Sequence, residues 1–172
     1  MPITVVQVRE EDWESHRDLR LEMLLDAPEA FWSRHSDLVG RDESFWRSAA
    51  AQGLTLQARD GADRAVGTLT VALSVRPGGE DDPAAVPTAL VLAVYVRPEA
   101  RGRGASDALL RAAETVGREA FAAQRLVLHV SELNDPALAL YARHGYIPTG
   151  RTIDHPRLEG VKELELAKPL HP

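Results

Sequence analysis

The chain contains no cysteine among its 172 residues. That excludes disulfides, a thiol nucleophile and cysteine-ligated metal or iron–sulfur centres. Any acyl transfer would have to proceed without an enzyme thiol. Aromatic residues are scarce, at 5%. No apolar run approaches the length needed to cross a bilayer, so no membrane association is expected. The six histidines are scattered without metal-ligand spacing, and no metal site is expected. A Gly-x-Ser-x-Gly nucleophile turn is also missing. Positive charge is in the minority: 20 Lys and Arg stand against 26 Asp and Glu, and the net charge of −6 argues against general affinity for nucleic acid. An acidic cleft would favour a cationic amine. No basic-then-apolar leader opens the sequence, so a cytoplasmic protein is expected. The length predicts a single domain over 1–172.

The most informative stretch runs from Leu90 to Leu110. Leu90 to Val96 is nearly continuous in Val, Leu, Ala and Tyr and reads as a buried strand, which Pro98 ends because proline has no amide hydrogen. Arg101-Gly102-Arg103-Gly104-Ala105-Ser106 follows, and its two glycines permit positive φ and close approach to the backbone. Beyond it Leu109, Ala113, Val116 and Ala120 recur at helical spacing. The turn therefore sits at a helix N-terminus, where free amides and the positive dipole end can receive a pyrophosphate. In isolation such a stretch is equally a surface turn with two solvated arginines. No lysine followed by Ser or Thr is present, so this is not a P-loop, and the glycine spacing is not that of a dinucleotide fold.

A second constellation lies downstream. Leu126, Leu128 and Val130 alternate along a strand, followed by Ser131-Glu132-Leu133-Asn134-Asp135-Pro136 and a helix through His144. Asp135 is expected to cap that helix, with Pro136 as its first residue and Gly145 at its end.

The remaining pattern predicts a strand over Ile3–Val8 and a helix over Glu10–Leu25 with Leu21, Leu24 and Leu25 on one face. A second helix is expected over Asp42–Ala51, then strands over Leu54–Arg59 and Arg64–Val75 joined by a turn at Asp60-Gly61. Pro77 to Pro87 reads as a mobile acidic loop. Strands near Tyr146–Thr152 and Val161–Ala167 close the chain. The order is α/β with a mixed sheet.

Taken together, Val94-Tyr95-Val96-Arg97-Pro98-Glu99-Ala100-Arg101-Gly102-Arg103-Gly104, joined to Asn134, Ala137, Leu140-Tyr141 and Gly145-Tyr146, resembles the GNAT superfamily of acyl-CoA-dependent N-acetyltransferases. The cofactor turn fits the family pattern until Ser106 replaces its last small residue. The resemblance spans Leu90 to Gly150, and Leu19 to Phe31 is more weakly similar to bacterial branches. It implies a GNAT-like, mainly antiparallel mixed sheet flanked by helices. It also implies a V-shaped opening between the central strand and the strand before the tyrosine helix.

The same resemblance implies acetyl-CoA as cosubstrate, with no metal, and a primary amine of a small molecule or peptide as acceptor. Backbone groups of Val94, Tyr95 and Val96 would meet pantetheine and the acetyl carbonyl. Arg101, Gly102, Arg103, Gly104, Ala105 and Ser106 would bind the pyrophosphate, and Asn134 would lie near CoA, with helix capping as its competing role. Tyr141 would be the general acid, since a phenol with pKa near roughly 10 stays protonated at neutral pH. No carboxylate lies between Leu90 and Val96 to act as base, and Glu22, Glu29 and His129 are the candidates. Phe31, Trp32, His35, Phe45 and Trp46 form either a local core or a substrate wall, and Asp154-His155-Pro156-Arg157 either borders the acceptor or forms a polar hairpin loop. A homodimer through late strands or helices is the family expectation. The competing class of function is a non-catalytic acyl-CoA-binding regulatory module, against which Tyr141 counts.

Overall fold

The computed structural model describes residues 2–52, 54–74 and 86–170. In chain order it contains β1 (Thr4–Gln7), α1 (Trp13–Asp26), α2 (His35–Leu38), α3 (Glu43–Ala51), β2 (Leu54–Arg59) and β3 (Ala65–Leu73). Then come β4 (Thr88–Val96), α4 (Ala105–Phe121), β5 (Arg125–Ser131), α5 (Asp135–Arg143), β6 (Ile147–Asp154) and β7 (Lys162–Pro169). Most of the acidic loop expected over Pro77–Pro87 lies outside the described residues.

The seven strands form one sheet in the order β1-β2-β3-β4-β5-β7-β6. Every neighbouring pair is antiparallel except β4–β5. This is the α/β architecture with a mixed sheet that the element order predicts, and it is mainly antiparallel as the family resemblance implies. β2 and β3 are joined through Asp60, whose carboxylate accepts from the Ala62 and Arg64 amides and closes the turn.

Strand alternation sends neighbouring side chains to opposite faces. Val66 and Val96 join the larger core with Leu109, Leu110 and Ala113 of α4, while Ala65 and Tyr95 join a smaller one with Leu19, Met23 and Leu24 of α1. The sheet is thus covered on both sides. The buried face of α1 differs from the expected one: Leu19, Met23 and Leu24 point inward and Leu25 is 64% exposed. Leu19, Met23 and Leu24 follow the i, i+4, i+5 spacing, which tracks one helix face, and Leu25 falls off it.

The register between β4 and β5 covers three pairs, Thr88 with Arg125 through Leu90 with Val127, and stops. From Val91 onward β4 has no partner strand on that side among the described residues. β4 also carries a bulge. Thr68 pairs with Tyr95 but Thr70 pairs with Leu92, which leaves one extra residue on β4. Ala93 absorbs it at φ +54°, a left-handed conformation unusual for a residue with a Cβ. Leu92, expected within a buried strand, is 42% exposed beside this irregularity.

Candidate active site

The turn after β4 has the geometry of an anion site. Gly102 and Gly104 adopt φ of +71° and +85°, and a Cβ at either would meet nothing within 4 Å. Glycine is required there by the backbone conformation, and the space in front of it is open to a ligand. Gly104 is the N-cap of the 17-residue α4 and provides no side-chain cap. The first amides of α4 are thus available to negatively charged oxygens.

The two arginines of the turn differ. Arg101 donates from Nε to the Val96 carbonyl at 3.0 Å and from Nη2 to Asp26 at 2.8 Å, so its side chain ties the turn to α1. Arg103 is exposed and has no ion pair among the described residues. Asp107, in the first turn of α4, accepts from His144 at 2.6 Å. That hydrogen bond holds its carboxyl below the usual range, against some desolvation, and links the start of α4 to the end of α5.

Between the diverging halves of β4 and β5 lies a cavity of about 520 Å³. Leu90 to Val94 form one wall, Leu128 to Ser131 the other, and Asn134, Ala137 and Tyr141 of α5 close one side. Asn134, rather than the expected Asp135, is the N-cap of α5, accepting from the Ala137 amide at 3.2 Å. Two adjacent Asx residues precede Pro136, and the one whose oxygen reaches Ala137 wins, leaving Pro136 in the first turn. Asn134 therefore both caps the helix and faces the cavity. Tyr141 is 7% exposed and packs edge-on against Tyr146 with ring centroids 5.7 Å apart. Burial pushes its phenol above the usual tyrosine range, so it stays protonated at physiological pH. Tyr95 points its side chain the other way, toward α1, where burial, with smaller contributions from Asp26 and Glu22, pushes it up to about 12.

The sequence offered Glu22, Glu29 and His129 as bases. Glu22 is held by Arg97 at 2.6 Å. His129 lines the cavity, with Glu165 3.6 Å from its Nε2. The carboxylate that the structure adds is Glu163 of β7, which is buried, lines the cavity and accepts from the Trp32 indole at 3.0 Å. In the sequence it belongs to the alternation Lys162-Glu163-Leu164-Glu165-Leu166, which reads as a solvated strand face. Pairing of β7 between β5 and β6 turns that face inward, opposite Ser131 and His129.

The segment over 27–34 roofs the cavity, contributing Phe31, Trp32 and Ser33. It is fastened by the β6–β7 connection. His155 Nε2 donates to the Glu29 carbonyl at 2.9 Å, its Nδ1 accepts from the Arg157 and Leu158 amides, and Arg157 Nη2 donates to the Phe31 carbonyl at 2.6 Å. A second cavity of about 390 Å³ adjoins it and shares Arg20, Ser33, Leu92 and Ala93. Phe45 and Trp46 line this one, and His35 lines neither. Asp154 is exposed and pairs with Lys162.

The glycine turn thus follows β4 directly into the N-terminus of α4, and beyond Leu90 and Val127 β4 and β5 part around the cavity. The family model described as the acetyltransferase (GNAT) family matches residues 7–146. The chain belongs to that family and is an acetyl-CoA-dependent N-acetyltransferase. Among solved structures, it is 24% identical to a GCN5-related N-acetyltransferase from Kribbella flavida, covering 98% of each chain with a TM-score of 0.71. A GNAT-family acetyltransferase from Streptococcus pneumoniae shares 15% identity over 99% of this chain and 100% of its own, with a TM-score of 0.76. Arabidopsis thaliana NAA60, solved in complex with a bisubstrate analogue, shares 17% over 99% and 100%, with a TM-score of 0.72. At these identities the likeness concerns the fold. No curated protein matches the chain.

Among the described residues, no group of three or more His, Cys, Asp or Glu could hold a metal ion. No helix is long and apolar enough to cross a membrane, again among the described residues.

Proposed function

We propose that this protein transfers acetyl from acetyl-CoA directly to a primary amine. The observation that carries the reading is the meeting, in one cavity, of the unpaired edge of β4, a protonated Tyr141 and a buried Glu163. Gly102 to Ser106 present amides to the pyrophosphate, and Arg103 adds an unpaired cation at the surface. Arg101 serves by fixing the turn through Val96 and Asp26. Pantetheine lies along Val94, Tyr95 and Val96 as an added strand, using the backbone groups that β5 leaves unpaired. The bulge at Ala93 interrupts the β3–β4 ladder, and an amide freed there would meet the thioester oxygen, where negative charge grows. Asn134 borders the same slot from the start of α5.

The exchange balances simply. A nitrogen–carbon bond forms, the carbon–sulfur bond breaks, one proton leaves nitrogen and one arrives at sulfur. Glu163 accepts the first and Tyr141 donates the second. Trp32 keeps the Glu163 carboxylate aimed by occupying one of its oxygens.

Calorimetric titration with acetyl-CoA, with NAD and ATP as controls, followed by measurement of CoA release against an amine panel, tests the reading. Selective binding and amine-dependent CoA release are expected. Tight binding with no turnover on any amine would instead favour a regulatory acyl-CoA-binding role.

A further inference from the structure

The larger cavity holds two opposite charges that do not pair with each other. Arg20 of α1 and Glu163 of β7 both line it. Among the described residues the only polar contacts of the Arg20 guanidinium are Ser33 Oγ at 3.3 Å and Met23 Sδ at 4.0 Å, so no carboxylate neutralises it. Glu163 is held by Trp32, a neutral donor, with His155 Nε2 3.8 Å away. Placing a guanidinium in a largely buried position without an anion is costly, and a bound carboxylate relieves that cost with bidentate, charge-assisted hydrogen bonds.

The smaller cavity extends from the same arginine. Its apolar end is formed by Leu38, Phe45 and Trp46, and Gln52 and Thr70 add polar groups. His16 is its only other titratable lining residue among those described, and burial, assisted by Arg20, lowers its pKa to about 4. At neutral pH the positive charge of this region is therefore concentrated on Arg20.

We infer that the acceptor is a free α-amino acid, with its carboxylate on Arg20, its amine facing Glu163 and its side chain in the smaller cavity. A peptide N-terminus would bring an uncharged amide where Arg20 requires an anion, so the inference narrows the acceptor beyond a primary amine in general. It rests on the acetyl-transfer reading for its chemistry, while the recognition step stands on Arg20 alone.

The test uses the full chain, acetyl-CoA and the standard L-amino acids, each set against the amine left by removing its carboxylate. CoA release is measured in parallel with calorimetric titration of the same acids into CoA-loaded protein. For at least one amino acid, kcat/KM should exceed that of its decarboxylated amine by about tenfold or more, the scale of a charged hydrogen-bonded pair. Arg20→Gln should collapse that preference mainly through KM, and Arg20→Lys should restore part of it. Equal or faster turnover of the decarboxylated amines in every pair overturns the inference. So does a protein that binds acetyl-CoA yet neither binds nor acetylates any of the acids, an outcome that leaves acetyl transfer to other amines standing. Arg20-dependent binding of an amino acid without CoA release would keep the carboxylate site on Arg20 but overturn the acid's role as acceptor together with the transfer reading.

Discussion

Trp32 and Glu163 lie 131 positions apart in the chain and meet at 3.0 Å, indole N–H to carboxylate. The tryptophan is 57% exposed and the glutamate is buried, so a residue on the surface segment orients a buried one that lines the cavity. In the proposed reaction this contact gives the segment over 27–34 a role beyond covering the cavity, because the carboxylate it orients is the proposed base.

Replacing Glu163 by Gln keeps an oxygen for Trp32 to donate to but removes the proton acceptor. The expected outcome is a loss of about 10²-fold in kcat at neutral pH, recovering as the pH is raised and more of the amine is free. A pH–rate profile of CoA release measures both effects. Unchanged kcat at neutral pH would remove Glu163 from the mechanism.

For Tyr141→Phe the ring packing against Tyr146 survives and only the hydroxyl is lost. CoA release should fall by about 10²-fold or more while calorimetric affinity for acetyl-CoA stays close to that of the unaltered chain. Full turnover in this variant would mean that the leaving thiolate finds its proton elsewhere.

Gly104→Ala tests the turn. At φ +85° an alanine is strained by roughly 1–2 kcal/mol, although nothing in the protein occupies the space of its methyl. The turn should shift and acetyl-CoA affinity should fall by about 5- to 30-fold. Calorimetry on the variant, with circular dichroism to confirm the fold, decides it; an unchanged Kd would show that the pyrophosphate is gripped elsewhere.

His16 makes stability depend on pH in a defined window. Burial, and secondarily Arg20, lower its pKa from 6.5 to about 4, so between those values the unfolded chain binds the proton that the folded chain does not. This contribution is therefore present above pH 6.5 and lost progressively as the pH falls toward 4, by about 3 kcal/mol in all. Urea unfolding at a series of pH values should show the loss, and His16→Gln should flatten that part of the curve. An identical slope in the variant would assign the acid sensitivity to other groups.

The parts of the structure legible in the sequence are those fixed by neighbours along the chain. β2 follows from the Leu54–Arg59 pattern, and α4 from Leu109 and Ala113 following two glycines. The glycine turn announces its own backbone because positive φ selects glycine. Ala93 gives no such signal, since alanine at φ +54° is imposed by the pairing of β4 with β3. The short α2 escaped for a related reason: four residues carry too little periodicity to register. Glu163 and Arg20 were illegible because each sits in a pattern that reads as surface. Their placement depends on which strands flank β7 and on the segment that crosses α1, both of which are long-range facts. The opening between β4 and β5 was expected from family resemblance, and its location is now set by a ladder that ends at Leu90 and Val127.

The fastening of the 27–34 segment by His155 and Arg157 makes the acceptor side of the cavity a two-part shell, assembled from the front and the back of the chain. Retailoring this protein toward a new acceptor is therefore a problem of paired design. A substitution in one half must be matched in the other, while the glycine turn and α4, which the proposed reading assigns to the cosubstrate, can be left as they are.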